Sequence, residues 1–191
     1  MIPILVESTE LYLRRRGAVR RLVAPLLPNP PNVVVEQLGP GRNVYTLGVV
    51  PQGRSPATIL NPEEALVRTR VPKLLMNYYE SWRQEGQADR YCLDRAYMHI
   101  HLALRNNPQQ LLSLHCDPSL RRSEAHFRYK RGPHVHIEGA NPSVSHAHIS
   151  LCISDEQLGG TDLDAITNTF GAAVRMIAAE LFPCWERGVS A

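Results

Sequence analysis

The spacing of apolar residues predicts one helix near each end of the chain. Over residues 8–27 apolar side chains recur near helical spacing, and Ser8 or Thr9 can cap the first turn. A second helix is predicted from about residue 161 to Pro183, because a proline cannot continue it. Its apolar residues recur every three or four positions: Leu163, Ile166, Phe170, Val174, Ile177 and Leu181.

Alternation of apolar and polar residues predicts strands elsewhere. Two β-branched runs, 32–38 and 43–50, flank a turn containing two glycines and a proline, which is typical of a hairpin. Further along, a period of two places alternate side chains on opposite faces of a strand, with Cys116 in the core. This alternation is found in four segments: 97–104, 112–116, 134–138 and 144–151.

The sequence between the hairpin and these strands predicts two helical stretches. Asn61 is followed by Pro62 and two glutamates, a favourable start for a helix, and Pro72 breaks or kinks that helix. Residues 73–84 then carry apolar and aromatic side chains at helical spacing, which predicts a second stretch. The side chains concerned are Leu74, Leu75, Tyr78, Tyr79 and Trp82.

Together these elements predict a single α+β domain over residues 1–191. We expect a largely antiparallel sheet with helices packed on one face and histidines on the opposite face. The basic helix at 1–27 belongs to this domain or forms an N-terminal appendage to it. Its arginines, Arg14 to Arg21, are typical of a solvent-exposed flank, and a nucleic-acid contact is the alternative interpretation.

Composition and charge narrow the class of protein. The chain has 191 residues, of which 43% are hydrophobic and 20% charged, with a formal net charge of +3. These fractions are typical of a globular domain, and no apolar run approaches the roughly 18 residues of a membrane helix. The four cysteines form no CxxC pair, and the N-terminus has no signal-peptide pattern. We therefore expect a cytoplasmic protein with reduced thiols and no membrane partner.

The histidines are the strongest indication of function. All eight lie between residues 99 and 148, and six of them form three His-x-His pairs. In a strand the two members of a pair point to the same face, about 6.5 to 7 Å apart. If the three strands are neighbours, up to six imidazoles share one face of the sheet: His99, His101, His134, His136, His146 and His148.

One interpretation of this face is a metal site. Imidazole nitrogens bind Zn²⁺ and other divalent transition metals, and three of them leave a fourth position for a water whose pKa falls to about 7. Glu138, on the face of His134 and His136, can serve as a ligand, an orienting group or a general base. His115 can add a further ligand. The main candidate ligands are His134, His136, His146, His148, His99 and His101.

The same face also permits hydrolysis without a metal. Two imidazoles can act as general acid and general base in phosphodiester cleavage, with a cation stabilising the charge of the transition state. Residues 126–131 alternate as well and carry basic side chains suited to phosphate. The candidate catalytic residues are His134, His136, His148 and Glu138. The candidate substrate-binding residues are Arg128, Lys130 and Arg131.

These observations predict a hydrolase, of the phosphodiesterase or nuclease-like class, that acts on a phosphate-containing substrate such as RNA or a nucleotide. A different class remains open: a non-enzymatic binding or assembly protein whose histidines hold a structural metal or a charged partner. A third hypothesis is a nucleic-acid-binding module that uses the helix containing Arg14 to Arg21.

Overall fold

One sheet organises the residues that the computed structural model describes. Among the described residues, nine strands are joined by hydrogen bonds into this sheet, and every pair of neighbouring strands is antiparallel. The structure describes residues 4–38, 43–54, 65–86, 89–104, 107–118, 130–138, 146–151 and 162–189, with the backbone alone at 137, 138, 146–148, 188 and 189. The strands are β1 (Leu5–Val6), β2 (Val33–Leu38), β3 (Val44–Val49), β4 (Val67–Arg68), β5 (Leu74–Gln84), β6 (Tyr91–Leu102), β7 (Gln109–Cys116), β8 (His134–Glu138) and β9 (His146–Ser150).

The two longest of these strands, β5 and β6, lie at the centre of the sheet. The order across it is β2-β3-β5-β6-β7-β8-β9. Strand β1 pairs with β6 beyond the end of β7, and β4 pairs with β5 beyond the end of β3. Strands are confirmed at four predicted places: β6 ends at Leu102 within the predicted 97–104, β7 and β8 contain 112–116 and 134–138, and β9 lies within 144–151. The hairpin of β2 and β3 is confirmed by their pairing.

The helix predicted at 73–84 is wrong, because these residues form β5. Both faces of this strand are covered, so that Met76, Asn77, Tyr78 and Tyr79 are all buried. Burial on both faces removes the alternation by which a strand is recognised in a sequence. Residues 61–64, where a preceding helix was predicted to begin, lie outside the described residues; that helix does not continue to Pro72, because 67–68 form β4.

The helix near the N-terminus, α1, is confirmed. It consists of a turn at Ser8–Glu10, a π-helical segment at Leu11–Arg15 and an α-helix at Arg16–Val23, and a 3₁₀ turn follows at Ala24–Leu26. The capping residue is Glu7, which makes no side-chain capping hydrogen bond. The Ser8 hydroxyl instead donates to Asp89 across the junction with the sheet, at 2.7 Å.

The helix near the C-terminus, α2, starts as predicted but extends further. It comprises Leu163–Met176, a π-helical segment at Ile177–Leu181 and a last α-helical segment at Phe182–Val189. Asp162 caps it, since its Oδ1 accepts hydrogen bonds from two backbone N–H groups, at 2.8 and 3.2 Å. Pro183 does not end the helix. The π-helical turn before it already interrupts the regular hydrogen-bond ladder, where a missing N–H is tolerated.

A shared hydrophobic core connects α1, α2 and the sheet. Leu22 of α1, Val174 of α2 and Met98 of β6 belong to one cluster of buried residues. The rings of Tyr78 and Phe170 meet edge to face, with centroids 6.2 Å apart. The predicted α+β class with a largely antiparallel sheet is thereby confirmed. No helix within the described ranges is long and apolar enough to span a membrane.

Candidate functional site

The register of β6, β7, β8 and β9 places five of the seven histidines of these strands in two rows. Residues directly opposite one another in antiparallel strands share a face of the sheet. One row of opposed residues runs through Asn77, His99, Ser113, His136 and His148. The neighbouring row runs through Tyr79, Tyr97, His115, His134 and Ser150.

Asn77 of β5 fixes the tautomer of His99. The Oδ1 atom of Asn77 lies 3.2 Å from the backbone nitrogen of His99 and 2.9 Å from its Nδ1. A backbone N–H can only donate, so the amide atom is the oxygen, and Nδ1 of the imidazole must carry the second donated proton. The Nε2 atom of neutral His99 therefore holds a lone pair. Asn77 is fully buried and His99 is 8% exposed.

The lone pair of His99 is directed at His115 on the adjacent strand. The two Nε2 atoms are 2.9 Å apart, so His115 donates from Nε2 when both rings are neutral. The ring of His115 also stacks on Tyr97, with centroids 4.0 Å apart and planes at 20°. Tyr97 is held in turn by Asp117, since its hydroxyl donates to Oδ1 at 2.5 Å.

Burial sets the charge states of this group. Desolvation, together with charge repulsion from the nearby imidazoles of His101 and His136, lowers the pKa of His99 to about 4. His99 is therefore neutral at pH 7. Desolvation raises the pKa of Asp117. The pKa of Tyr97 is raised by desolvation and by the charge of Asp117, so its hydroxyl remains a donor.

Strand β8 places two more imidazoles beside the ring of His115. The ring of His136 lies 4.9 Å from that of His115, and the ring of His134 lies 5.8 Å from it, centroid to centroid. The Nδ1 of His134 is 2.9 Å from the carbonyl oxygen of Gly132, which only accepts, so Nδ1 carries the proton here as well. We name five described residues the histidine cluster: His99, His101, His115, His134 and His136.

The remaining candidates on the histidine strands are located by backbone register. His148 lies opposite His136, and His146 lies opposite Glu138, at the β8–β9 pair. The side chains of His146, His148 and Glu138 are outside the described part of the structure. Their assignment as ligands or catalytic groups stays a prediction.

The basic candidates are placed differently from one another. Arg128 lies outside the described residues. Lys130 is half-buried, and its carbonyl accepts a hydrogen bond from the backbone N–H of Asp117 at 2.9 Å. Arg131 is only 5% exposed, and its Nε donates to the carbonyl of Pro118 at 3.0 Å. The phosphate-binding role of these side chains stays a prediction.

Sequence reasoning missed three members of this site. Tyr97 and Arg95 lie two and four residues before His99, and the strand period alone would have placed them on its face. Arg95 is exposed, and its guanidinium carbon lies 5.9 Å from the centre of the Tyr97 ring. Asn77 could not be found in this way because its strand was predicted to be a helix.

Comparison with known proteins does not assign a function, so a functional assignment depends on the geometry of the site. No protein family, curated protein or solved structure matches the chain. Among the described side chains, no group of three or more His, Cys, Asp or Glu is arranged to hold a metal ion. The side chains of Glu138, His146 and His148 are not among the described ones.

Proposed function

We propose that the protein is a phosphodiester hydrolase, nuclease-like in its reaction, and that the histidine cluster lies in its active site. The observation that supports this most is the 2.9 Å approach of the Nε2 atoms of His99 and His115, with the ring of His136 4.9 Å from His115. Gathering ionisable rings from three strands costs desolvation and charge repulsion. Such arrangements are typical of functional sites.

The cluster has the groups that phosphodiester cleavage needs. One imidazole must take a proton from the attacking oxygen, and another must deliver one to the leaving oxygen. His136 and His134 of β8, with His148 at the position opposite His136, are the proposed catalytic residues, and Glu138 assists them. Alternatively, imidazoles of the cluster bind a divalent transition metal that supplies a hydroxide nucleophile.

Positive charge near the cluster favours an anionic substrate such as RNA or a nucleotide. The exposed guanidinium of Arg95, which is paired with Asp94 at 3.3 Å, lies beside Tyr97, and Tyr97 stacks on His115. Lys130 is near the same end of β7, since its backbone pairs with Asp117. Arg128 and Arg131 follow as proposed contacts. Guanidinium groups bind phosphate through two parallel hydrogen bonds.

The test is hydrolysis by purified, tag-free protein. Substrates are an RNA oligonucleotide, the DNA strand of the same sequence and bis(p-nitrophenyl) phosphate, each assayed with added Zn²⁺ or Mn²⁺ and with chelator. We expect cleavage of at least one substrate and a loss of about 100-fold or more in kcat for His136→Gln. The matched control is Gln109→Ala, an exposed position on β7. A folded protein that cleaves none of the three substrates, or an unchanged rate in His136→Gln, would overturn the proposal.

A second candidate is a non-enzymatic protein that uses the cluster to hold a structural metal. The burial of the cluster favours it, since His99, His101 and His134 are at most 8% exposed and a polymer reaches buried rings with difficulty. This candidate predicts a large drop in melting temperature on chelation, without turnover. For either function we propose the cytoplasm, on the ground that Cys92 and Cys184, among the described residues, are free thiols.

A further inference from the structure

We infer that Nε2 of His99 and Nε2 of His115 are two ligands of one divalent transition-metal ion, with a further donor supplied by β8 and with Asn77 as the residue that orients His99. The sequence pattern predicted His115 only as a further metal ligand, and it did not indicate that Asn77 belongs to the site. The role of this ion in catalysis rests on the proposed function. The binding of the ion does not depend on that proposal.

The separation of the two nitrogens fits a shared ion. Two imidazole nitrogens that bind one metal at about 2.0 to 2.1 Å lie roughly 2.9 to 3.4 Å apart for bond angles between a right angle and the tetrahedral angle. The Nε2 atoms of His99 and His115 are 2.9 Å apart, at the lower end of that range. A hydrogen bond between the rings gives the same distance. The surroundings of each ring distinguish this hydrogen bond from a shared ion.

The rings of His99 and His134 carry their protons where metal ligation requires them, and His115 binds the ion as the tautomer that is protonated on Nδ1. A ligating histidine typically donates its other ring N–H to a carbonyl or carboxylate oxygen, which fixes the ring and leaves the second nitrogen for the ion. Nδ1 of His99 donates to Asn77, and Nδ1 of His134 donates to the carbonyl of Gly132. In its neutral form each ring therefore has its lone pair on Nε2.

Strand β8 is the source of the further donor. The ring centroids of His99 and His115 are 5.1 Å apart, and those of His115 and His136 are 4.9 Å apart. Rings bound side by side to one ion have similar separations, roughly 4.5 to 5.2 Å for bond lengths of about 2.0 to 2.1 Å. His136 thus lies near enough to complete the site by a rotation of its ring, with water in the remaining position.

The donor atoms select the class of metal. Imidazole nitrogens suit zinc, cobalt, nickel, copper and iron, whereas magnesium and calcium require oxygen ligands. The carboxyl group of Asp117 accepts a hydrogen bond from the hydroxyl of Tyr97, whose ring stacks on His115. Zn²⁺ and Co²⁺ are therefore expected to bind, and Mg²⁺ is not.

Calorimetric titration of chelator-treated, tag-free protein with Zn²⁺, Co²⁺ and Mg²⁺ tests the inference. We expect one Zn²⁺ or Co²⁺ per chain and no heat from Mg²⁺. His99→Ala and His115→Ala should each weaken binding by more than about 100-fold, and Asn77→Ala by about 10- to 100-fold. Gln109→Ala is the control and should bind as the wild type does. Absence of stoichiometric Zn²⁺ and Co²⁺ binding, or unchanged binding in His115→Ala, would overturn the inference.

A second measurement needs no variant and covers the case in which a variant does not fold. The ring ¹⁵N resonances of histidine-labelled wild-type protein are recorded before and after one equivalent of Zn²⁺. Nε2 resonances of at least two histidines should move to metal-bound positions, and spectra without such movement would contradict the inference. Zn²⁺ binding without hydrolysis refutes the proposed function alone. Hydrolysis by a chelated protein that binds no metal refutes the metal site alone.

Discussion

Arg15 of α1 and Glu80 of β5 form an ion pair that is buried between the helix and the sheet. Nε of Arg15 lies 3.0 and 2.9 Å from the two carboxylate oxygens, and neither side chain is more than 5% exposed. The Tyr78 hydroxyl and the Trp82 indole N–H also donate to the carboxylate, at 2.5 and 3.0 Å. Arg15 reaches α2 as well, through the hydroxyl of Thr167 at 2.5 Å. This one group connects both helices to the central strand.

We predict that Glu80→Ala strongly destabilises the fold. The substitution leaves the guanidinium of Arg15 buried without its counter-ion, for which a loss of about 3 to 5 kcal/mol in the free energy of unfolding is typical. Urea denaturation measures it. The control is Arg14→Ala, since Arg14 is exposed and its ion pair with Glu10 should contribute less than about 1 kcal/mol. Equal losses in the two variants would contradict a structural role for the buried pair.

The stability of metal-free protein is predicted to fall at acidic pH because of His99. The pKa of His99 is lowered from 6.5 to about 4 in the folded chain. Between these values the unfolded chain takes up a proton that the folded chain refuses, so the contribution is complete above pH 6.5 and is lost as pH falls towards 4. The expected loss is about 1 to 3 kcal/mol. Denaturation of wild type and His99→Gln across this range measures it, and a slope that persists in the variant would assign the effect to other groups.

Tyr97→Phe is predicted to destabilise the site without removing a charge. The change deletes the hydroxyl that donates to Asp117, a carboxyl group whose pKa burial already raises. Loss of a hydrogen bond to a largely buried carboxyl group should cost about 1 to 3 kcal/mol. A double-mutant cycle with Asp117→Ala isolates the interaction from the loss of packing. A coupling energy near zero would mean that the two groups do not interact in solution.

Arg95→Gln is predicted to weaken substrate binding more than turnover. Under the proposed function its exposed guanidinium binds phosphate beside the Tyr97 ring, so KM should rise about tenfold with kcat changed by less than twofold. The matched control is Arg14→Gln, on the exposed side of α1. If instead RNA affinity and its salt dependence fall when Arg14 and Arg16 are neutralised, the basic helix is the binding surface.

The positions of the histidines could be predicted to the level of single strands. The period of two in 97–104, 134–138 and 144–151 identifies strands and puts the members of each pair on one face, because that period is a property of the backbone. The partner of each histidine depends on strand order and register, which local spacing does not contain. The contact of His99 with His115 requires β6 and β7 to be neighbours in one particular register, in which His99 lies opposite Ser113 and Tyr97 lies opposite His115.

Two other features were hidden for different reasons. Asn77 lies in a strand that is buried on both faces. The pattern of apolar residues in such a strand does not differ clearly from that of a buried helix. Arg15 belongs to a run of three arginines, and nothing in the run marks the middle one as the buried member. Its selection depends on Glu80, 65 residues away.

Strand β5 makes contacts on both faces of the sheet, because its side chains alternate between them. Asn77 and Glu80 are three residues apart in this strand, so one side chain holds His99 while the other holds Arg15 on the opposite side. A slip of β5 by a single residue would turn Asn77 away from His99 and expose the carboxylate of Glu80 to the imidazoles. The ion pair with the helix opposes that slip, so the orientation of His99 depends on a contact made on the other side of the sheet.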